Sequence, residues 1–558
     1  MFPLALLFAA GAALPVPGRS VVSSQFGVAA SSQPLAAQAA VQILQRGGNA
    51  VDAAIAANST QGLMEPTSNG IGGDLFAIVY MAREDKLYGL NASGWSPKGM
   101  TVDYVRSKGV TGDELPYRGV YTVTVPGAVA GWSALQKRFG KLPLSTSLQP
   151  AIWYAEHGFP LMEITAGHWA RSEKFLAEQP GSKALYLVDG VRAPRAGEIF
   201  RNPDLAKSLQ RIAAKGRDGY YRGPLAQAIV DIVREQGGVM TTDDLARYDA
   251  EWVEPIQTNY RGWTVSELPP NGQGIAALEM LNLLQRWPLG EWGFHSTKTL
   301  HAMIEAKKLA YADLLRYIGD PRFTRIQVAQ LLSPENTARR ALLFDPHKAS
   351  CKVEPSVLAG VTDSKGSDTI YLTVVDKDGN IVSLIQSNYA GFGSGLVPKG
   401  AGFMLHNRGN LFTLAPGQPN TLEGNKRPLH TIIPGFLQKG DVRIGFGIMG
   451  GWNQSQAHAQ FVSDIVDSGM TIQQALEAGR FTKGTFDGCD VEIESSVPAD
   501  VRDELKALGH ALDVKPLRTG NFGYGQAVLY DRKTGVKQGA SDPRHDGEAV
   551  PVPAPVFH

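Results

Sequence analysis

One Asp-Thr pair in the chain has a local sequence that suits self-cleavage. Gly366 and Ser367 precede Asp368 and Thr369, and a run rich in β-branched and aromatic residues follows. The Thr369 hydroxyl could attack the carbonyl of Asp368, form an ester and release a new N-terminus at Thr369. The freed α-amine, whose pKa lies near ~8, could then take the proton of its own hydroxyl. The pair therefore indicates a threonine nucleophile, although the start of an ordinary strand would have the same residues.

The Asp-Thr pair begins a predicted β-hairpin. Residues 369–375 are mostly β-branched, aromatic and aliphatic, which predicts a buried strand. Residues 376–380 contain an Asp-Gly pair, which is typical of a tight hairpin turn. Residues 381–387 are again apolar at most positions and form the return strand. A small, flexible Gly-Ser segment therefore leads into a rigid hairpin.

Helices and strands are predicted on both sides of this hairpin. Residues 327–367 are polar and contain three prolines, which predicts an exposed connector where a chain could be interrupted. No break in composition divides the chain, so we expect one interwoven domain of layered α/β or α+β type. Apolar spacing predicts helices at 33–46, 50–63, 299–318, 454–466 and 472–478, and strands at 75–80, 87–90, 403–405, 431–433 and 442–444.

Composition argues against several classes of function. The 558 residues carry a formal net charge of +1, so no basic field would attract nucleic acid or an anionic membrane. No apolar run is long enough to span a bilayer. Neither Cys-x-x-Cys nor His-Glu-x-x-His occurs, so the sequence indicates no metal site. The chemistry expected of the threonine needs no cofactor.

The N-terminus and the cysteines bear on the compartment in which the protein works. Residues 1–14 form a short apolar run and Pro15 to Gly18 follow, which resembles a secretory signal of residues 1–18 that lacks a basic start. We expect a secreted or periplasmic protein, or a cytoplasmic one if the leader assignment is wrong. Cys351 and Cys489 lie on opposite sides of the Asp-Thr pair and could form a disulfide in an exported protein. Two buried thiols are the alternative.

Residues 445–450 form a glycine-rich segment that could also do chemistry. The segment fits Gly-x-Gly-x-x-Gly between a strand and a helix, a pattern of dinucleotide sites. A dinucleotide fold would then return to a strand, whereas another helix is predicted at 472–478. The backbone N–H groups of Gly450 and Gly451 could instead stabilise an oxyanion. A tight turn into a helix is the third interpretation.

Ordered blocks between residues 47 and 549 resemble the gamma-glutamyltransferase family of self-cleaving N-terminal nucleophile hydrolases. The resemblance implies an α+β fold, a four-layer αββα sandwich built by two chains from one precursor. It implies a large subunit of residues 19–368 and a small subunit of residues 369–558 that begins with the nucleophile. The matching blocks include 47–54, 65–73, 125–132, 392–395, 425–428 and 539–544.

The resemblance also implies a set of catalytic residues. Thr369 matches the nucleophile, with cleavage between Asp368 and Thr369, and Ser387 matches a residue that hydrogen-bonds the nucleophile. Gly450 and Gly451 match the oxyanion glycine pair. The implied activity is cleavage of a γ-glutamyl or related acyl amide through an ester on Thr369. Water or an amine would accept the acyl group.

The residues that should bind a γ-glutamyl group depart from the family pattern. Ser93 stands where the family has an arginine for the α-carboxylate. Leu411 stands where it has an acid for the α-amine, and Tyr389 replaces an asparagine. The groups that recognise an α-amino acid are therefore largely absent from their usual positions.

Other residues in the same blocks are candidates for binding the substrate. Arg408 replaces a neutral amide of the family pattern, and His430 and Thr431 replace two adjacent serines. Arg408 would either pair with a nearby acid or bind a substrate carboxylate in place of the missing arginine. The second interpretation predicts a dicarboxylic half-amide, such as a glutaryl amide, as the acyl donor. The expected substrate-binding residues are Asn388, Tyr389, Arg408, His430 and Thr431.

Three functions are compatible with these residues. The first is a gamma-glutamyltransferase, and the second is a family member that acts on other amides, as cephalosporin or glutaryl acylases and oxamate amidohydrolases do. The third is a catalytically inactive binding protein on the same fold, against which the retained threonine and glycine pair argue. The expected partners are a small amide substrate, water or an amine, and the two subunits of the precursor.

Overall fold

Two seven-stranded antiparallel sheets form the centre of the protein. The computed structural model describes residues 18–356 and 368–555. The strands are β1 Val22–Ser24, β2 Gly27–Ser31, β3 Asp74–Met81, β4 Lys86–Ala92, β5 Phe159–Pro160, β6 Ile199–Phe200, β7 Glu251–Val253, β8 Ile256–Tyr260, β9 Trp263–Glu267, β10 Asp368–Asp376, β11 Ile381–Tyr389, β12 Gly435–Lys439, β13 Val442–Ile448, β14 Phe481–Thr482, β15 Asp490–Glu494, β16 Ala511–Lys515, β17 Gly525–Asp531, β18 Lys537–Ser541 and β19 Glu548–Pro551.

The order of the strands places the hairpin in the middle of one sheet. One sheet has the order β1-β18-β17-β13-β12-β9-β8, and the other has the order β19-β2-β10-β11-β3-β4-β7. Strands β14, β15 and β16 form a small separate sheet, and β5 pairs with β6. β10 faces β17 and β13 of the other large sheet, so the two sheets are stacked. Each large sheet contains strands from both predicted subunits.

Helices cover the outer face of each large sheet. α1, α2 and α4 pack on the sheet that holds β10, whereas α13, α18 and α19 pack on the other sheet. The helices are α1 Pro34–Gln45, α2 Ala50–Met64, α3 Val102–Ser107, α4 Ala128–Phe139, α5 Leu144–His157, α6 Glu163–Arg171, α7 Glu173–Leu176, α8 Pro180–Tyr186, α9 Pro203–Lys215, α10 Asp218–Tyr221, α11 Gly223–Glu235, α12 Thr242–Arg247, α13 Gly274–Leu284, α14 Leu289–Trp292, α15 Thr297–Tyr317, α16 Val328–Leu331, α17 Pro334–Ala341, α18 Gln454–Val466, α19 Ile472–Glu477 and α20 Ala499–Ala507.

The resulting layers confirm the predicted α+β fold, a four-layer αββα sandwich. All nine residues of β11 are buried, because the second sheet covers one face of the strand and α2 packs on the other. α2 is itself buried along nearly its whole length. A capping box between Asn49 and Asp52 starts this helix, so its position against the hairpin is fixed from its first turn. The predicted helices and the hairpin are likewise confirmed.

Two predicted strands are wrong, and the predicted irregular connector contains two short helices. Residues 403–405 and 431–433 are buried but irregular, and their apolar side chains reflect burial rather than strand pairing. Residues 327–356 include α16 and α17, and Arg340 and Ser356 within this range are buried. Half of residues 327–356 are exposed, so the predicted exposure is confirmed in part. Residues 357–367 lie outside the described residues.

The two cysteines form a disulfide. Cys351 and Cys489 are joined across 138 residues of sequence, with their Cα atoms 4.7 Å apart. The bridge ties the segment after α17 to the small sheet that contains β15. Among the described helices, none is long and apolar enough to cross a membrane. The predicted leader lies almost wholly outside the described residues.

Candidate active site

Thr369 is the second residue of β10 and is fully buried. Its Oγ1 donates a hydrogen bond to Ser387 Oγ at 3.1 Å, and Gln454 Nε2 lies 3.4 Å from the same oxygen. Ser387 Oγ also accepts a hydrogen bond from the Tyr389 backbone N–H at 2.8 Å. The Thr369 hydroxyl is therefore oriented by one side chain of the adjacent strand and by one of α18.

The pairing of β10 with β11 is irregular at the predicted cleavage point. Asp368 pairs with Tyr389, whereas Ile370 pairs with Gln386, so β11 has one extra residue opposite Thr369. Tyr389 has a φ of +73°, which is rare for a residue with a side chain. Bulges and strained residues of this kind are frequent beside active sites, where they redirect a side chain. The backbone around Thr369 thus departs from regular strand geometry where the predicted chemistry needs it.

The glycine pair lies between β13 and α18. Gly450 has a φ of +125° and Gly451 a φ of +59°, values that favour glycine. A 3₁₀ turn, Gly451–Asn453, leads directly into α18. In the described part of the chain, the N–H groups of Gly450 and Gly451 donate to no protein acceptor. Two backbone donors at a helix N-terminus can stabilise a developing negative charge.

The dinucleotide interpretation of this loop is wrong. β13 is antiparallel to both of its neighbours, β12 and β17, and α19 follows α18. A dinucleotide site requires a parallel strand after the helix. Gln273 also fixes the position of the loop, because its Nε2 donates to the carbonyl oxygens of Gly451 at 2.8 Å and Thr431 at 2.5 Å. The unused N–H groups of Gly450 and Gly451 remain consistent with the oxyanion interpretation.

A buried carboxylate, Asp74, stands opposite Ser387 on the neighbouring strand β3. Its Oδ2 lies 2.9 Å from His430 Nε2 and 3.4 Å from His406 Nδ1, and its Oδ1 accepts from the Gly94 N–H at 2.9 Å. Burial raises the pKa of Asp74, but the interactions with His406 and His430 outweigh burial and hold the pKa well below its usual range. Asp74 is therefore a fixed anion behind the nucleophile.

Arg408 is a fully buried cation beside this carboxylate. Its Nη1 donates to Thr431 Oγ1 at 2.7 Å, and its guanidinium lies 4.6 Å from the centre of the Tyr389 ring. Its Nε lies 3.9 Å from Asp74 Oδ2, which is close enough for the predicted ion pair with a nearby acid but too far for a hydrogen bond. Burial lowers the pKa of Arg408 to about 10, so it stays charged at neutral pH. Among the described residues, Nε and Nη2 have no hydrogen-bond partner.

His430 is neutral in this environment. Burial and the positive charge of Arg408 lower the pKa of His430 to about 3, although Asp74 acts in the opposite direction. A neutral His430 can still donate its Nε2 proton to Asp74. The charges of Asp74 and Arg408 therefore balance, while the Nε and Nη2 donors of Arg408 remain without an acceptor among the described residues.

The positions that the family pattern assigns to charged ligands hold neutral groups here. The Ser93 hydroxyl donates to Asn91 Oδ1 at 2.8 Å and accepts from Asn271 Nδ2 at 3.2 Å. Leu411 packs in the hydrophobic core. Neither position supplies a charge that could bind an α-carboxylate or an α-ammonium group.

Asn388 differs from the other predicted substrate ligands in its contacts. Its Nδ2 donates to the Asn69 carbonyl at 2.9 Å, and its backbone N–H donates to Ser68. The residue thus contacts the glycine-rich loop before β3, whereas Tyr389 and Thr431 contact Arg408. A direct role of Asn388 in binding substrate stays a prediction.

Sequence reasoning missed four residues that build the site. Asp74 lies beside Arg408 and His406 lies beside Asp74, whereas Gln454 contacts the nucleophile and Gln273 contacts the glycine loop. Two signals could have identified them. Asp74 is an acid at the start of an otherwise apolar strand directly after a glycine-rich loop, and Gln454 opens the helix that follows the glycine pair.

One cluster in the described chain could hold a metal by residue type. His301, Glu305 and His510 are buried, and their ligand atoms lie within 4.8 Å of one another. His301 Nδ1 is 2.8 Å from His510 Nε2, and Lys308 Nζ donates to Glu305 at 2.6 Å. The two histidines bond to each other, and the Lys308 ammonium occupies the carboxylate that a cation would need.

Stacked antiparallel sheets between two helical layers, with the candidate nucleophile on an inner strand, define the class of the N-terminal nucleophile hydrolases. Within that class, the chain belongs to the gamma-glutamyltransferase family. The family model described as Gamma-glutamyltranspeptidase matches residues 36–552.

Known proteins similar to this chain include acylases as well as a glutathione hydrolase-like protein. The chain is 35% identical over 525 residues to the "Glutathione hydrolase-like YwrD proenzyme" of Bacillus subtilis, which covers 93% of this chain and 97% of that protein. It is 32% identical over 539 residues to the "Acylase ACY 1 proenzyme" of a Pseudomonas species, with 95% and 94% covered. A crystal structure of cephalosporin acylase from Bacillus halodurans is 42% identical, has a TM-score of 0.89, and covers 97% of this chain and 98% of its own.

These findings confirm the predicted enzyme class. The protein is a hydrolase or acyltransferase of the gamma-glutamyltransferase family, and its relatives are named proenzymes. An inactive binding protein is the weakest of the three functions considered from the sequence.

Proposed function

We propose that the protein cleaves itself between Asp368 and Thr369 and then hydrolyses amides whose acyl group ends in a carboxylate. The choice of substrate rests on Arg408, a buried cation whose Nε and Nη2 donate to no described residue. The chain would then consist of a large subunit, residues 19–368, and a small subunit, residues 369–558.

Self-cleavage would use the hydroxyl that Ser387 and Gln454 orient. Thr369 Oγ1 attacks the carbonyl carbon of Asp368, the peptide C–N bond breaks, and an ester joins the two residues. Water then hydrolyses the ester, which leaves a carboxylate on Asp368 and a free α-amine on Thr369. The irregular pairing of β10 with β11 at this point supports a backbone that can adopt the required geometry.

Turnover would use the new α-amine as the general base. The amine takes the hydroxyl proton while Thr369 Oγ1 attacks the amide carbonyl of the substrate. The N–H groups of Gly450 and Gly451 stabilise the oxyanion, and the departing amine takes the proton as the C–N bond breaks. Water, or an amine in the transfer reaction, then attacks the ester and restores the threonine. Ser387 holds the hydroxyl in place throughout.

The acyl group would lie against Arg408. Asp74 already accepts hydrogen bonds from His430 and Gly94, and its nearest approach to the Arg408 Nε is 3.9 Å. The guanidinium therefore keeps two donors for a carboxylate, in the fork geometry that arginine prefers. Because Leu411 offers no acid, nothing at that position would bind an α-ammonium group. A glutaryl amide fits this site better than a γ-glutamyl amide.

The disulfide bears on both the assembly and the compartment. Cys351 belongs to the proposed large subunit and Cys489 to the small one, so the bridge would keep the two chains covalently joined after cleavage. Disulfides persist in oxidising compartments, which supports a secreted or periplasmic location. The similarity to a cephalosporin acylase and to an acylase supports an acyl amide as the substrate.

The proposal is tested with three matched anilides and the purified wild-type enzyme. A glutaryl anilide has the carboxylate without the amine, a γ-glutamyl anilide has both, and a butyryl anilide has neither. We expect kcat/KM to be highest for the glutaryl compound. A higher value for the γ-glutamyl compound, or equal values for glutaryl and butyryl, would overturn the proposed substrate.

A further inference from the structure

A buried glutamine of the proposed large subunit, Gln273, contacts two segments of the proposed small subunit. It is the N-cap residue of α13 and is fully buried. Its Nε2 donates to the carbonyl oxygens of Gly451 at 2.8 Å and Thr431 at 2.5 Å, so both hydrogens of the nitrogen are used. The opposite orientation of the amide would place Oε1 against two acceptors. The two carbonyl oxygens therefore fix the orientation of this side chain.

The backbone of Gln273 binds the same two segments. Its N–H donates to the His430 carbonyl at 3.0 Å, and its carbonyl accepts from Ser455 Oγ at 2.8 Å. His430 directly precedes Thr431, and Ser455 is the second residue of α18, the helix that follows the glycine loop. Each segment thus has one hydrogen bond to the side chain of Gln273 and one to its backbone. A shift of either segment relative to the other would break hydrogen bonds to this residue.

Each of the two segments supplies one part of the proposed substrate site. Gly451 is one of the proposed oxyanion donors, and its carbonyl also accepts from the N–H of Gln454, whose side chain lies 3.4 Å from Thr369 Oγ1. Thr431 Oγ1 accepts from Arg408 Nη1 at 2.7 Å. The carbonyl of the substrate amide would therefore lie at the first segment, and the carboxylate of the acyl group would lie near the second.

The glycine loop and the arginine both need a support of this kind. Gly450 and Gly451 have positive φ angles, and glycine loses more conformational freedom on folding than any other residue. Among the described residues, the guanidinium of Arg408 has one hydrogen bond, the one to Thr431. The position of the guanidinium therefore depends on the position of Thr431, and Gln273 links that position to the glycine loop.

We propose that Gln273 is a positioning residue that sets the separation between the oxyanion donors and Arg408, and thereby selects the length of the acyl group. This inference rests on the proposed function, because it needs a substrate carboxylate at Arg408. Gln273 acts through Gly451 and Thr431 rather than on the substrate itself. A misplacement of about 1 Å can lower a rate by about a hundredfold, so such a support can distinguish acyl groups that differ by one methylene.

The kinetic test uses the succinyl, glutaryl and adipyl anilides, which carry the same terminal carboxylate and differ by one methylene each. In the wild type we expect kcat/KM to peak at glutaryl and to fall about tenfold for one methylene more or less. Gln273→Met keeps the volume of the side chain and removes both donors. In this variant the three kcat/KM values should lie within about threefold of one another, because the separation is no longer fixed. Butyryl anilide has no carboxylate, so a fall in its kcat reports the oxyanion loop alone.

The control is Gln460→Met, which removes the same kind of contact elsewhere in the core. Gln460 is a buried glutamine of α18, and its Nε2 likewise donates to two backbone carbonyls, those of Gln456 and Phe481. Neither carbonyl belongs to the glycine loop or to the segment that contains Thr431. The control should lose Tm as Gln273→Met does, but it should keep the wild-type preference for glutaryl. A merely structural role of Gln273 would give the two variants the same kinetics.

A second variant, Gln273→Asn, replaces Gln273→Met if the latter does not fold. It keeps the amide on a stem that is one methylene shorter and cannot reach both carbonyls, so it should flatten the series in the same way. A length preference that persists in either folded variant, or a wild-type series that is flat but well above butyryl, would overturn the inference and leave the proposed function intact. Equal kcat/KM for glutaryl and butyryl in the wild type would show instead that the proposed function has failed, and the inference with it.

Discussion

The substitution Arg408→Gln removes the cation on which the proposed acyl group depends. The wild-type guanidinium donates one hydrogen bond to Thr431, which leaves Nε and Nη2 for a substrate carboxylate. Hydrogen bonds to charged groups contribute about 1.5–3 kcal/mol each, and one neutral hydrogen bond from glutamine would restore about 1 kcal/mol. The net loss of roughly 2–5 kcal/mol corresponds to a fall in kcat/KM of about 30- to 4,000-fold.

The variant should still fold and process itself. Asp74 keeps its hydrogen bonds from His430 and from the Gly94 N–H. The charge of Arg408 also helps to lower the pKa of His430, so its removal raises that pKa. The Asp74 carboxylate keeps these two hydrogen-bond donors, so it is not left buried without partners.

The assay measures kcat/KM for the glutaryl, γ-glutamyl and butyryl anilides in wild type, Arg408→Gln and Arg408→Lys. The glutaryl value should fall in Arg408→Gln while the butyryl value stays within about twofold, since butyryl has no carboxylate to lose. Arg408→Lys keeps the positive charge but not the bidentate guanidinium. Its kcat/KM for the glutaryl anilide should therefore lie between those of wild type and Arg408→Gln. Equal losses for glutaryl and butyryl, or a γ-glutamyl preference that Arg408→Gln does not change, would refute the reasoning and indicate an ordinary γ-glutamyl enzyme.

Three further predictions concern the oxyanion, the pH dependence of stability and the disulfide. Gly451→Val, at a φ of +59°, should tilt the backbone donors and lower kcat by about a hundredfold or more; near-normal turnover in a processed, folded variant would contradict the oxyanion role. Burial raises the pKa of the Glu65 carboxyl from 4.5 to about 8. The contribution of the buried, protonated carboxyl to the free energy of unfolding is therefore fully present below pH 4.5 and is lost as pH rises through 8. Glu65→Gln should therefore raise Tm relative to wild type more at pH 9 than at pH 5, and a difference independent of pH would be contrary evidence. The processed wild type should run as one band on a non-reducing gel and as two bands on a reducing gel, whereas Cys351→Ser should give two bands on both gels. Two wild-type bands without reductant would argue against the disulfide.

The sequence predicted the fold well where local patterns and packing agree. The hairpin from β10 to β11, with its Asp-Gly turn, was predicted nearly to its ends because strand composition and turn chemistry point the same way. Helix α18 was predicted with its observed bounds. Residues 403–405 and 431–433 were mistaken for strands because burial alone selects the same apolar side chains. Hydrogen-bond pairing, which separates the two cases, depends on the tertiary fold.

The sequence predicted less of the candidate site than of the fold. Thr369 and Ser387 are 18 residues apart on one hairpin, so a local pattern could suggest them. Asp74 and His430 are 356 residues apart, and Gln454 is 85 residues from Thr369. Contacts between such distant residues arise only when the sheets stack. The interpretation of Arg408 therefore required the structure, which identifies Asp74 as its neighbour at a distance too long for a hydrogen bond.

Intact mass and N-terminal sequencing of purified protein test the central claim, that Thr369 is both the site of self-cleavage and the nucleophile. We expect the wild type to contain two chains, one of which begins at Thr369. Thr369→Ala should remain a single chain, because the attacking hydroxyl is gone, whereas Thr369→Ser, which keeps a hydroxyl, should still be cleaved. A second chain that begins at the same position in Thr369→Ala, or a wild-type cleavage at another bond, would contradict the account.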